Sequence, residues 1–281
     1  MEHVGASAVS GLQVVDTSHL NDAEARFARL AAGPYPFTVP GIRTDIERMQ
    51  GLWAKLLPEI LDCNFPEQPV PGVRYYFENN WFSYGDALIY QAMIRVLRPN
   101  RLVEVGSGYS SAVALETRDR CGFPKEMTFI DPETARLQTL LTERDRKHTT
   151  ILRSMVQRVD PVAFESLAAG DMLFIDSSHI SAVGSDVHYL MCEVLPRLMP
   201  GVIIHFHDTF WPFEYPEAWV LAQKRGYNEL YFLQAFLTNN DSYEILFFND
   251  FFAKMHADIL TRTAPLVMRN PGGGLWLRKT A

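Results

Sequence analysis

From Arg101 onward the chain alternates between two periodicities. Short apolar runs of strand length stand at 101–105, 127–131, 149–153, 171–176, 201–206, 243–248 and 275–279. Stretches with helical spacing lie between most of them, at 110–120, 133–145, 184–197 and 214–225. Strand alternating with helix predicts a mainly parallel sheet with helices on both faces. The last two runs are separated by FFAKMHADILTR and the tight turn PGGG, which predicts a late antiparallel strand.

Before Arg101 the pattern changes. NDAEARFARLAAG (21–33) has Asn21 and Asp22 as cap candidates, closes on Gly33 and reads as a helix. A link with Pro34, Pro36 and Pro40 leads to a second helix over 42–62, and PEQPVPG (66–72) breaks the chain again. An aromatic-rich stretch then turns helical near Ser83. Residues 1–20 lack apolar periodicity and are expected to be frayed or extended. The reading is of class α/β: a doubly wound, Rossmann-like domain over 75–281 with a seven-stranded, mostly parallel sheet, preceded by a helical extension or lid over 1–74.

Composition narrows the function classes. With 281 residues, 47% hydrophobic and 21% charged, the chain suits one soluble globular domain with a real core. A formal charge of −7 and the lack of a Lys/Arg stripe argue against a nucleic-acid partner. Cys63, Cys121 and Cys192 are far apart with no CxxC pattern, so they read as reduced core or helix residues. No run approaches a membrane span, and MEHVGASAVSG lacks the basic and apolar regions of a signal peptide. A cytoplasmic protein with no membrane partner is expected.

The first strand ends in LVEVGSGYSS (102–111). Glycines there let the chain turn sharply, bring backbone N–H groups to a ligand and open a helix. A dinucleotide fingerprint would want a third glycine where Ser111 stands, and Glu104 would repel a pyrophosphate. An acid at that site suits a ligand carrying an ammonium or sulfonium charge.

VEVGSGYSS followed by FIDPE, LFIDSSH and GVIIHFHD resembles the class I S-adenosylmethionine-dependent methyltransferases. More narrowly it is similar to their small-molecule O-methyltransferase branch, of the catechol and antibiotic-tailoring kind. The resemblance covers roughly 75–281 and implies S-adenosylmethionine as cofactor. It implies that Glu104, Gly106, Ser107, Gly108 and Ser111 meet the amino-acid part of that cofactor. Asp131 would take the ribose hydroxyls, and Val156 and Gln157 the adenine. Tyr84 and Asp86 would lie near the methionine end.

LFIDSSH puts Asp176 at the end of the fourth strand, and IIHFHD puts His207 and Asp208 at the end of the fifth. Ligands of open parallel sheets bind outside those ends. In the catechol-type branch the corresponding positions hold a divalent cation through Asp, Asp and Asn. The resemblance therefore implies a metal set of Asp176, His207 and Asp208, for Mg²⁺, or for Mn²⁺ or Fe²⁺ given the imidazole. His179 stands where the family carries a catalytic lysine, so His179, His207 and Asp208 are the catalytic candidates, a histidine serving as general base. His205 reads as structural, and Asp186 and His188 as solvated.

Two aromatic segments, 75–87 and 208–219, mix breakers and polar residues with rings, as a pocket wall does. Asn79, Asn80 and Trp81 are expected near the acceptor, as are Trp211, Phe213 and Tyr215. The partner expected is a small-molecule acceptor, with methylation at oxygen favoured over nitrogen. The N-terminal helices are expected to close over the site or to swap in a homo-oligomer. The alternatives are a nicotinamide-dependent oxidoreductase on a Rossmann fold and a non-catalytic methyltransferase-like subunit. Glu104 and GSGYSS speak against the first, and intact acids at four strand ends against the second. Base amino-group methylation is disfavoured by the acidic balance and by the lack of a D-P-P-Y-like segment after the fourth strand.

Overall fold

The computed structural model describes residues 22–281; the expectations for residues 1–20 and for Asn21 fall outside the described part. Seven strands form one sheet: β1 (Arg101–Val105), β2 (Glu126–Ile130), β3 (Thr150–Leu152), β4 (Met172–Ile175), β5 (Ile203–Phe206), β6 (Tyr243–Phe248) and β7 (Leu275–Lys279). Their order is β3-β2-β1-β4-β5-β7-β6. β1 to β5 are parallel, and β7 runs antiparallel between β5 and β6. The strand order reverses between β1 and β4, so the crevice at the strand C-termini opens there.

The helices follow local sequence logic. α1 (Ala23–Ala31) is capped by the Asp22 carboxylate, and α2 (Ile46–Leu61) by that of Asp45, which accepts from Arg48 N at 3.0 Å. α2 buries Met49, Trp53, Leu56 and Ile60 in the same core as the sheet. α3 (Tyr84–Leu97) is buried nearly all round and lies against α2 and α4 (Tyr109–Cys121).

The expected helix over 133–145 is two pieces, α5 (Ala135–Leu140) and α6 (Glu143–His148). Thr142 accepts from Asp145 N and starts the second piece. The remaining helices are α7 (Val162–Glu165), α8 (Asp186–Tyr189), α9 (Glu229–Leu237), α10 (Asn249–Met255) and α11 (Ala257–Thr263). The stretch expected as a helix over 184–197 keeps only α8 as regular α-helix, followed by a wide turn and a tight one at Leu195–Arg197. Over 214–225 a single wide turn, Ala218–Ala222, replaces the expected helix.

One buried ion network braces the β1–β2 side. Arg74 reaches Asp145 at 2.7 Å, Asp119 at 2.8 Å and Glu116 at 3.0 Å, and Arg118 adds a second contact to Asp145 at 3.0 Å. The Asp145 side chain is fully buried. The three cysteines are free, two half-buried and Cys192 exposed. No described helix is long and apolar enough to cross a membrane.

Candidate active site

The turn after β1 is built around two close approaches. Gly106 has φ +81°, and a Cβ there would stand 2.0 Å from the Asp176 carbonyl oxygen, so only glycine fits between β1 and β4. Its N–H donates to the Ile130 carbonyl at 2.9 Å. Ser107 N donates to Asp131 Oδ2 at 2.8 Å, and Glu133 N to Asp131 Oδ1 at 2.7 Å. The acid at the end of β2 is thus fixed against the glycine turn with both oxygens still open to a further donor.

Glu104 lies beneath this turn, fully buried. Its Oε1 accepts from Ser110 Oγ and Ser111 Oγ, each at 2.7 Å, while Oε2 has no partner among the described residues. Burial pushes its carboxyl up to about 8 despite the two serine hydroxyls. Ser111 also accepts from Gly108 N at 3.0 Å, so it braces the turn from inside.

Three contiguous clefts open at the strand C-termini. The first, of about 580 Å³, runs past Gly106 and Asp131 to Val156, Gln157 and the loop 176–186. The second, of about 390 Å³, shares Gly106, Asp131 and Asp176 with it and holds the whole turn Gly106–Ser110 together with His179, His207 and Asp208. The third, of about 410 Å³, shares Asn80, Trp81, His207, Asp208 and Trp219 with the second and reaches Asp86. No described residue before Asn79 lines any of the three.

In the second cleft Asp176, His179 and Asp208 converge, one ligand atom from each lying within 4.8 Å of the others. His179 Nε2 is 3.5 Å from Asp176 Oδ1 and 3.4 Å from Asp208 Oδ2. On its other side Nδ1 lies 2.8 Å from Glu229 Oε2, which also accepts from Ser177 Oγ at 2.9 Å. His179 at φ +60° and Asp208 at φ +54° both occupy left-handed backbone, which turns the two chains toward each other.

Burial opposes a charged His179, but its contacts with Asp176, Asp208 and Glu229 outweigh that and hold its pKa well above the ordinary value. Burial likewise works against ionised Asp208; the neighbouring His207, His179 and Arg225 charges overcome it and keep the carboxyl low.

His207 does not join this trio. It lies 3.6 Å from Asp208 Oδ1 through Nε2 and 3.9 Å from Asp86 Oδ1 through Nδ1, on the α3 side of the cleft. The structure thus brings His179, expected as a base, and not His207, expected as a ligand, together with Asp176 and Asp208. Burial disfavours the charged ring of His207, yet Asp208, Asp86 and Asp176 raise its pKa.

Asp86 lies in the third cleft rather than by the glycine turn, because α3 carries it toward the loop before β7, where it accepts from Gly273 N at 3.1 Å. Burial lifts its carboxyl to about 6. Tyr84 lines no cleft; it stacks on Phe77 at 5.0 Å, and its hydroxyl is engaged by Glu78 and Arg269.

Asn80 and Trp81, expected near the acceptor, line the second and third clefts. Trp211, Phe213 and Tyr215 do not. All three are buried: the Trp211 indole donates to the Pro36 carbonyl at 2.6 Å, Phe213 packs on Phe248, and the Tyr215 hydroxyl accepts from Leu230 N at 3.2 Å. The aromatic wall is made instead by Phe210, Trp219 and Tyr227. His205 is buried between Phe174 and Trp276, with burial holding it neutral, in keeping with its structural reading. Asp186 is not merely solvated: it accepts from Ser178 N at 2.7 Å and ties down the loop beside the first cleft.

Residues 103–209, which span the glycine turn, Asp131, Asp176, His179 and Asp208, match the family model described as a methyltransferase domain. The match runs from within β1 to just past β5, and the 3-2-1-4-5-7-6 sheet is the doubly wound α/β architecture expected from the sequence.

A 72-residue stretch is 40% identical to an uncharacterized protein of Archaeoglobus fulgidus; it makes up 25% of this chain and spans only 33% of that relative. Similar solved structures include CmcI with Mg and SAM (17% identity, 95% of this chain and 100% of that one, TM-score 0.44). Another is the O-methyltransferase TomG of Streptomyces achromogenes in complex with SAM (11%, 95% and 100%, TM-score 0.43). A third is SAH-bound methyltransferase PaMTH1 of Podospora anserina (12%, 97% and 100%, TM-score 0.42). At such TM-scores these likenesses bear no weight on what this chain binds.

Proposed function

We propose that the protein methylates an oxygen of a small-molecule acceptor, with a divalent cation held by Asp176, His179 and Asp208. The observation that carries this reading is the convergence of those three side chains in the cleft that also holds the glycine turn. Two carboxylates and an imidazole suit a borderline or hard divalent ion such as Mn²⁺, Fe²⁺ or Mg²⁺. The contact of His179 Nδ1 with Glu229 is the carboxylate–histidine pairing that fixes a ligating ring, leaving Nε2 for the ion. The same carboxylates that hold a proton on His179 form a negative well that a cation fits.

S-adenosylmethionine, when bound, supplies an electrophilic methyl group for in-line displacement. A cation, when held, lowers the pKa of an acceptor hydroxyl and orients a chelating pair of oxygens. The remaining work falls to the chain. The unpartnered Oε2 of Glu104 and the N–H groups of the glycine turn suit the cofactor's amino-acid end. Asp131, already held by two backbone donors, suits the ribose hydroxyls, and Val156 and Gln157 the adenine. His207, backed by Asp86, lines the acceptor side and serves as the proton acceptor. Positioning supplies most of the rate advantage of such a displacement.

The test is calorimetric titration of Mg²⁺, Mn²⁺ and Fe²⁺ into metal-stripped protein saturated with S-adenosylhomocysteine. Binding is expected in wild type and in His207→Ala, and lost in Asp208→Ala and His179→Ala. Ion binding that survives both of the latter refutes the trio. No ion binding, with S-adenosylhomocysteine bound, leaves deprotonation to His207 alone.

A further inference from the structure

The second cleft carries a cation that neither the cofactor nor the metal reading uses. Arg225 lies with its guanidinium carbon 4.1 Å from the centre of the Trp219 ring and 5.5 Å from that of Tyr227, both rings lining the cleft with it. Its Nε donates to the neutral Gln223 Oε1 at 2.7 Å, its backbone N–H to the Trp219 carbonyl at 2.9 Å. Among the described residues it makes no ion pair. A guanidinium packed on aromatic faces at a cleft wall, with donors unspent, is the form in which arginine reads planar oxyanions.

The residues around it set the side from which a ligand comes. Trp219 lines both the second and the third cleft, so Arg225 stands at the acceptor end. Arg136, stacked 3.6 Å over Trp81, covers the opposite wall, beside Gly108 and the glycine turn.

Resting on the methyltransferase reading above, we infer that the acceptor is an anion: a molecule bearing a carboxylate or similar oxyanion, which Arg225 binds while its oxygens face Asp176, His179 and Asp208. Arg225 is then a specificity-determining residue, and neutral analogues of the acceptor are discriminated against.

The test compares 3,4-dihydroxybenzoate with 3,4-dihydroxybenzamide, which share the chelating diol and differ in charge. Binding to the full chain in Mg²⁺ is followed by tryptophan fluorescence, with and without S-adenosylhomocysteine. The wild type is expected to favour the acid by about tenfold or more, the range of a charge-assisted hydrogen bond. Arg225→Met is expected to reduce that preference below about threefold, and Arg225→Lys, which keeps charge but loses the fork, to retain part of it.

Equal affinities, absence of acid binding, or a preference that survives Arg225→Met would overturn the inference; the last would mean that Arg136 or the metal reads the carboxylate. An unchanged thermal midpoint in the variants separates lost recognition from lost folding. An acid preference that persists while S-adenosylhomocysteine fails to bind would sink the methyltransferase reading and leave Arg225 in its role.

Discussion

Replacing Glu104 by Gln is expected to stabilise the protein and weaken its cofactor binding at once. The carboxyl is wholly buried, and its pKa is raised from 4.5 to about 8 by burial. Between those values the folded chain holds a proton that the unfolded chain has released, so stability falls as pH rises through that window. Each pH unit costs about 1.4 kcal/mol, and at pH 7 the accumulated cost is roughly 3 kcal/mol. Glutamine mimics the protonated acid: its carbonyl can accept from Ser110 and Ser111 as Oε1 does now. The variant should therefore match wild type near pH 4 and exceed it by roughly 3 kcal/mol at pH 7.

The same charge is needed when the cofactor's ammonium group arrives. Binding of S-adenosylhomocysteine at pH 7 should release close to one proton, seen as a buffer-dependent calorimetric enthalpy, and tighten as pH rises from 6 to 8. Glu104→Gln should bind it about tenfold or more weakly, release no such proton and lose the pH dependence. Urea unfolding of apo-protein at pH 4, 5.5 and 7, with calorimetry in two buffers, measures both arms. A stability gain that does not grow with pH, or cofactor affinity unchanged in the variant, would refute the assignment of a raised, ligand-facing carboxyl.

Further outcomes follow from other contacts. Gly106→Ala should abolish cofactor binding by calorimetry, because its methyl would stand 2.0 Å from the Asp176 carbonyl at a φ of +81°. Asp145→Asn should destabilise by about 3 kcal/mol at pH 7 in urea, leaving Arg74 buried without its main partner. Burial opposes the Asp145 charge, but Arg74 and Thr142 hold its pKa below 3.8. The stability it adds is therefore present above that value and disappears as pH falls through the lower folded one, where wild type and variant should converge. Glu229→Gln should weaken Mn²⁺ binding about tenfold or more in a calorimetric titration while leaving S-adenosylhomocysteine affinity in place.

Much of the sheet is legible because strand ends coincide with turn chemistry. β1, β6 and β7 begin and end at the expected residues, and the PGGG turn marks the reversal that inserts β7 between β5 and β6. Helices read from composition alone fare worse. Residues 214–225 look helical, yet Tyr215 is drawn into the core and Trp219 to the cleft wall, and the chain bends to satisfy both. The expectation for Trp211, Phe213 and Tyr215 fails for the same reason: aromatic density does not say which rings face inward. Glu229, Arg225 and Tyr227 carry no motif at all, because they reach the site from a segment whose course is set by packing.

The exchange of His207 for His179 shows where periodicity stops informing a site. Alternation along β5 places His205 and His207 on one face, and both do stack against the α3 side, His205 near Tyr90 and His207 on Phe82 at 5.1 Å. Asp208 is the second residue beyond the strand, and its left-handed backbone at φ +54° takes it off that face toward the loop after β4. His179, three residues past Asp176, is turned back by its own left-handed backbone and fixed there by Glu229. A period of two can assign faces only while the chain stays extended. Two consecutive strand exits, each bent at a polar residue that tolerates positive φ, bring together three side chains that no spacing rule groups. The conformational cost at those two residues is met by the contacts they make with each other, and this is why the cluster forms beyond the strands rather than on them.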